Sequence, residues 1–242
     1  MQSLWNALTT SGPDWAWFVA SLFAVHVVTL WGGFAVYQAL HRAGALQRWR
    51  VAAGKPPPEP LEQKIRVRVA VNTAAFLLAA LGVYGALWLR GVDFNAQLPP
   101  WWTVAWQLVA FALVTDTAFY WMHRGLHRPW WFSRVHRQHH EVRYVRGLSA
   151  EYSHTLEDFG NLVVSFLGPV IFGAHPATVL IWFFVRMLET VDAHSGYVFT
   201  PWAQRHAYHH EFNRGNFGAF WSLWDRLLAT DADWRAWKAK QP

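Results

Sequence analysis

The chain has 242 residues, 53% of them hydrophobic and 17% aromatic, with 18 Trp, no Cys and a formal net charge of +6. That many large apolar side chains and that few charges exclude intrinsic disorder. The absence of Cys excludes a disulfide framework, a thiolate zinc finger, a Cys-ligated iron–sulfur cluster and a Cys nucleophile. The 21 Lys and Arg fall in clusters between apolar segments, a pattern suited to anionic lipid, and no nucleic-acid partner is expected.

Residues 15–40 carry no Lys, Arg, Asp or Glu and exceed the ~20 residues a membrane-spanning helix needs. No positively charged stretch precedes them, so they read as a span and not as a signal peptide. A basic loop, 41–68, follows, with a stiff, extended run Lys55-Pro56-Pro57-Pro58-Glu59-Pro60. A second span is expected over 69–89 and a third over 101–122, the latter carrying Asp116. The apolar region 159–191, interrupted by Gly168-Pro169 and by Gly173-Ala174-His175-Pro176, reads as a helical hairpin of about 159–173 and 177–191. Trp15, Trp17, Trp88, Trp101 and Trp102 sit at span ends, as interfacial anchors do.

Residues 1–14 and 91–100 hold no Lys or Arg, whereas 41–68 hold seven, 123–158 six and 201–242 six. The positive-inside bias therefore places the N-terminus outside and the three basic regions in the cytoplasm. Arg137, Arg143, Arg146 and Arg205 read as solvated or lipid-headgroup charges.

The 13 His are the informative feature. His123 and His127 form an H-x-x-x-H box; His136, His139 and His140 form H-x-x-H-H, and His206, His209 and His210 repeat it. On a helix, positions i, i+3 and i+4 share a face, so each box is expected to present its imidazoles in one direction. Neutral imidazole suits iron, zinc or copper. Eight such His exceed the needs of one ion, so two ions are implied, and a nitrogen-rich dinuclear site at a membrane surface suits oxygen activation by iron. Asp116, two helical turns before His123, is a candidate acceptor for the free ring N–H of a ligand. Glu157, Glu189 and Asp192 are candidates to orient ligands, to pair with Arg186 or Arg143, or to bind metal directly. His26, lying mid-span, reads as a packed neutral ring.

The boxes resemble those of the fatty acid hydroxylase / sterol desaturase superfamily of membrane di-iron enzymes. Residues 150–157 (AEYSHTLE), 188–197 (LETVDAHSGY) and 224–231 (WDRLLATD) extend the likeness, the second toward the sterol C4-methyl oxidases. Ala229 stands where that family usually has Gly. The resemblance covers about residues 110–232. It implies two irons, replaceable by zinc, held by His123, His127, His136, His139, His140, His206, His209 and His210, and it adds His154 and His194 as further ligands. It also implies O2 as co-substrate, a lipid entering from the bilayer, and an electron donor of cytochrome b5 or ferredoxin type with its reductase. A partner donor is also required because no dinucleotide fingerprint and no Cys cluster occur.

The expected architecture is all-α: a multi-pass membrane helical bundle under a cytoplasmic histidine-rich di-metal cap. Residues 1–100 would supply two spans and the basic loop, and 101–242 the catalytic domain. The expected activity is hydroxylation or desaturation of an unactivated C–H bond in a sterol, hopanoid, carotenoid or fatty acyl lipid. The host membrane would be the inner or plasma membrane of a bacterium or the endoplasmic reticulum of a eukaryote. The alternative is a non-oxidative, His-rich metal-binding or transport protein of the membrane.

Overall fold

The computed structural model of the chain describes residues 1–51, 58–145 and 147–240. Among the described residues there is no β-strand, and one isolated antiparallel bridge joins Arg50 to Tyr197. After a short α1 (Gln2–Thr9) come three long helices, α2 (Asp14–Arg42), α3 (Glu59–Leu89) and α4 (Trp101–Leu126). All three are long and apolar enough to cross a membrane. With 29 and 31 residues, α2 and α3 reach about 44 and 46 Å, so they extend past a ~30 Å hydrocarbon core.

The second helix of this set begins ten residues before the expected span. Pro58 is its N-cap in extended conformation, Glu59 and Pro60 are its first turn, and Glu59 and Glu62 lie near its positive end. Proline is tolerated there because the first N–H groups of a helix have no internal acceptor, and acidic side chains favour that end. Helix, not extended linker, therefore holds Glu59 and Pro60; residues 55–57 of the proline run and Arg146 lie outside the described residues.

The remaining elements are α5 (Pro129–Arg134), two 3-10 turns (His136–Glu141 and Gly147–Glu151), α6 (Thr155–Ile171), α7 (Pro176–Ala193), α8 (Pro201–Phe212), α9 (Leu223–Leu227) and α10 (Ala232–Lys238). The hairpin α6–α7 is present, but Gly168-Pro169 lies inside α6 and does not interrupt it. Proline at 169 frees the carbonyl of Ser165 four residues earlier, and the indole N–H of Trp182 on α7 donates to that carbonyl at 2.7 Å. Each arm is about 26 Å long by helical rise, short of the hydrocarbon thickness.

Helix α7 runs along α2, α6 packs between α4 and α3, and α7 also touches α4, α6 and α8. Two glycines allow close helix approaches: a Cβ on Gly33 would lie 2.6 Å from Val191, and one on Gly168 3.0 Å from the Phe111 backbone. Phe18, Leu22, Phe111, Trp182 and Phe183 fill the core between them. Trp15, Trp88, Trp101 and Trp102 are exposed at the ends of α2, α3 and α4, as anchors should be, but Trp17 is buried against Trp5 and Phe18. The antiparallel order of α2, α3 and α4 brings the C-termini of α2 and α4 and the N-terminus of α3 to one end of the bundle, where the histidines collect.

Candidate metal centre

Nine histidines converge in two adjacent groups. His123, His127, His136, His140 and His209 form one, and His139, His194, His206 and His210 the other; within each, the donor atoms all lie within 4.8 Å of one another. Helix α4 delivers His123 and His127 at its C-terminal end. The 3-10 turn after α5 delivers His136, His139 and His140, the end of α7 delivers His194, and α8 delivers His206, His209 and His210.

The boxes do not each face one way. In both H-x-x-H-H boxes the outer pair at i and i+4 enters one group and the middle ring enters the other: His136 and His140 against His139, His206 and His210 against His209. Each H-x-x-H-H box therefore contributes to both groups and ties them together, whereas His123 and His127 both enter the first. The rings of His140 and His210, one from each group, stack with centroids 4.5 Å apart.

The protonation pattern is set by what lies behind each ring. Nδ1 of His123 faces the carbonyl of Phe217 at 3.1 Å, that of His209 the carbonyl of Gly215 at 2.6 Å, and that of His210 the carbonyl of Val142 at 3.1 Å. Nδ1 of His139 faces Tyr152 O at 3.3 Å and that of His194 faces Thr190 O at 2.9 Å. His136 Nδ1 faces Glu157 Oε1 at 2.8 Å. A carbonyl or carboxylate accepts, so these six rings carry their proton on Nδ1 and aim the Nε2 lone pair inward. Burial, followed by neighbouring imidazoles, pushes His140, His209 and His210 far below the ordinary histidine range, and burial lowers His139 to about 4. All are neutral at pH 7, the form that binds metal.

Inward Nε2 atoms are spaced as ligands of single ions. In the first group the His123–His136, His136–His127, His127–His209 and His140–His136 separations are 3.1, 3.1, 3.1 and 3.0 Å. In the second, His206–His194, His210–His139 and His194–His139 are 2.9, 3.1 and 3.4 Å. Two nitrogens each about 2.0–2.1 Å from one ion and 90–109° apart lie about 2.9–3.4 Å from each other. Between rings that both carry their proton on Nδ1, as His123–His136 in the first group and His210–His139 in the second, lone pairs this close repel unless a cation stands between them, so the donor set fits a metal in each group.

Other expected site residues fall differently. His154 is outside both groups; its Nδ1 accepts the N–H of Leu156 at 3.2 Å and caps α6. Asp116 touches no imidazole: its two oxygens accept the backbone N–H groups of Ala219, Trp221, Ser222 and Leu223 at 3.1–3.3 Å. It is a loop anchor, because its side chain leaves α4 toward the segment before α9. Asp192 accepts from Tyr37 at 2.8 Å and Thr200 at 2.5 Å, joining α7 to α2 and α8. Glu189 pairs with Arg186, whose guanidinium also reaches Thr190. His26 is packed face to face on Phe76, as a mid-span ring should be, with Glu151 at 3.3 Å. Arg205 is buried, not solvated, and donates to Phe220 O at 3.2 Å.

A small cavity of about 50 Å³ opens beside the histidines, between α4, α6, α7 and α8. Phe119, Met122 and Leu126 make it apolar on the α4 side, and Asn161, Arg186 and Glu189 line the other. Asp225 was not singled out from the sequence as a site residue, yet it orders this end of the bundle. It accepts from Phe217 N at 2.9 Å, Gly218 N at 2.7 Å and the Thr230 hydroxyl at 2.6 Å. Its place in the WDRLLATD segment was the available signal.

All-helical bundle, apolar spanning helices and paired histidine groups define a membrane protein built around a metal centre. The chain belongs to the fatty acid hydroxylase family, whose model matches residues 108–230. It is 29% identical to a very-long-chain aldehyde decarbonylase of Oryza sativa subsp. indica, over 99% of this chain and 94% of that protein. It is 28% identical to methylsterol monooxygenase 2-1 of Arabidopsis thaliana, over 99% of this chain and 97% of that protein. It is 27% identical to fatty acid hydroxylase domain-containing protein 2 of Macaca fascicularis, over 98% of this chain and 74% of that protein. No solved structure matches it. Family and site together make it a membrane oxidoreductase of lipid metabolism.

Proposed function

We propose that the protein is a di-iron enzyme that hydroxylates or desaturates an unactivated C–H bond of a membrane lipid with O2. The observation that carries this reading is the pair of histidine groups with Nδ1 held by carbonyls and Nε2 turned inward beside a half-apolar cavity. Two irons, when bound, supply the electron transfers that activate O2 for attack on such a bond. His123, His127, His136, His140 and His209 would hold one ion, and His139, His194, His206 and His210 the other.

The protein's own residues do the rest. Glu157 keeps the His136 ring in one tautomer and strengthens its donor nitrogen. Phe119, Met122 and Leu126 exclude water and pack an apolar stretch of lipid beside the site. The Arg186–Glu189 pair offers the cavity a polar wall against a hydroxyl or carbonyl of the substrate. Similarity to a methylsterol monooxygenase and to an aldehyde decarbonylase supports a sterol or long-chain lipid as that substrate. With no Cys in the chain, electrons come from an external donor of cytochrome b5 or ferredoxin type with its reductase. Residues 101–242 form the catalytic part, with 1–100 as supporting spans. The basic regions face the cytoplasm and the N-terminus lies outside.

The test is purified protein reconstituted with iron, a reductase system and host lipid extract. Near two iron equivalents per chain, O2 uptake, and a lipid that gains one oxygen atom or loses two hydrogens are expected. Iron retained without either lipid change would favour the metal-binding or transport alternative. A cysteine introduced at Ser133, in a chain with no background thiol, should be labelled only from the cytoplasmic side; labelling only from outside would reverse the orientation.

A further inference from the structure

One stripe of α3 lines two cavities in succession. Lys64, Val67 and Val71 border a cleft of about 840 Å³ against Arg134 and Arg137 of the segment around α5. Ala75, Gly82 and Ala86 border a second cavity of about 490 Å³ against Phe159 and Val163 of α6. The spacing 64, 67, 71, 75, 82, 86 keeps to steps of three, four or seven, so all six residues share one face of the helix. Each cavity follows about 17 Å of helix, and the two lie end to end along the axis.

Their linings differ as the two ends of a phospholipid differ. The first contains four cations, Lys64, Arg68, Arg134 and Arg137, against one carboxylate, Glu141, which already accepts from Tyr152 at 2.7 Å. The second is almost wholly apolar, and its floor is shallow because Ala75, Ala79, Gly82 and Ala86 carry little side chain. A Cβ on Gly82 would meet nothing within 4 Å. The cationic end lies at the histidine end of α3, where the helix outruns the hydrocarbon core; the apolar end lies within the span.

We infer that this groove binds an anionic phospholipid, with its phosphate among Lys64, Arg68, Arg134 and Arg137 and one acyl chain along α3 and α6. The inference rests on the reading that α3 spans a membrane, and not on the identity of the substrate. The site is separate from the metal centre: Glu157 and Asn161 face the histidines, whereas Phe159 and Val163 leave α6 toward the groove. An acidic soluble protein would match the cations but has no access to the apolar half. A helix of a second copy would match the small residues but would leave the cations uncompensated. The lipid satisfies both halves, and holds α3, α6 and the turn bearing His136 together from outside.

The experiment is native mass spectrometry of the full-length protein in detergent, titrated with phosphatidylglycerol or phosphatidylcholine. One retained phosphatidylglycerol, preferred over phosphatidylcholine, is expected. The double variant Lys64→Gln/Arg134→Gln should weaken it about 25-fold, about fivefold for each cation removed near a membrane surface. Gly82→Leu should weaken it by filling the apolar groove, whereas Gly85→Leu, which is on the same helix but off the groove, should not. Melting temperatures in phosphatidylcholine and metal content should match the parent for all three, which separates loss of the site from loss of the fold. Equal retention of both lipids would overturn the inference. So would displacement by inorganic phosphate with no response to Gly82→Leu, which marks a free-anion site. A dimer that Gly82→Leu dissociates would assign the groove to a second copy and overturn it as well.

Discussion

Glu157 Oε1 lies 2.8 Å from Nδ1 of His136, and both side chains are almost wholly buried. The other five anchored rings face backbone carbonyls, so His136 is the ring backed by a carboxylate. It is also the ring whose Nε2 sits nearest three others of its group, His123, His127 and His140, at 3.0–3.1 Å. Burial pushes the Glu157 carboxyl well above its usual range; Glu157→Gln keeps an oxygen that can accept from His136 but cannot exchange a proton with it, and Glu157→Leu removes both. Loss of such a partner typically costs about tenfold to a hundredfold in metal affinity or activity. Metal titration should place Gln near the lower figure and Leu near the upper; affinity within about twofold of the parent for Leu would show that the contact is only structural.

Asp116 should matter to stability before it matters to metal. Four N–H groups point at its carboxylate, and Asp116→Asn turns one of those oxygens into a donor facing donors. Hydrogen bonds to a charged group contribute about 1.5–3 kcal/mol, so unfolding measured by melting should shift by roughly that amount. The same loop carries Phe217 O, which holds His123, so weaker metal retention should accompany the lower melting temperature. Metal loss without any change in melting would contradict the anchoring role.

His154 should be dispensable for metal and His194 should not. His154→Ala removes the cap on α6, worth typically ~1 kcal/mol, and His154→Asn should restore most of it. Both variants should keep full metal content by elemental analysis. His194→Ala removes one donor of four from the second group and should lose about one ion per chain, as should His139→Ala, His206→Ala or His210→Ala.

Ala229 has φ +53°, left-handed backbone that costs a residue with a Cβ about 1–2 kcal/mol. Ala229→Gly should therefore raise stability by up to ~1 kcal/mol once the extra freedom of glycine in the unfolded chain is subtracted. Chemical denaturation of the two proteins measures it. An unchanged or lower midpoint would mean that the turn relaxes around alanine.

Acid should unfold the metal-free protein well before it titrates exposed carboxylates. Burial lowers His139 to about 4 and His209 and His210 further, against about 6.5 in an unfolded chain. Between these values the unfolded chain binds more protons at these rings, so their contribution to stability rises with pH and is complete above about 6.5. His139 alone accounts for roughly 3 kcal/mol lost as pH falls from about 6.5 to 4, at 1.36 kcal/mol per unit. The histidine contribution to melting temperature should be flat above pH 7 and fall below it, whereas Asp158, which burial raises to about 7, works in the opposite direction between about 4 and 7. A histidine contribution that rose on acidification would show that the rings are already protonated in the fold.

Local spacing determined much of this protein. The boxes, the three apolar spans and the α6–α7 hairpin are patterns within a few tens of residues, and helix periodicity makes them legible without a partner. The all-helical class, the number of histidine boxes and the family likeness follow from such patterns. Tertiary structure alone decided which ring joins which group, because a ring's direction depends on what stands behind it. Phe217 O is 94 residues from His123, and Val142 O is 68 from His210. It likewise decided that Asp116 reaches for backbone 103–107 residues away and not for an imidazole. Helical periodicity places Asp116 and His123 two turns apart, but where a carboxylate finds its donors is set by which loop folds against it.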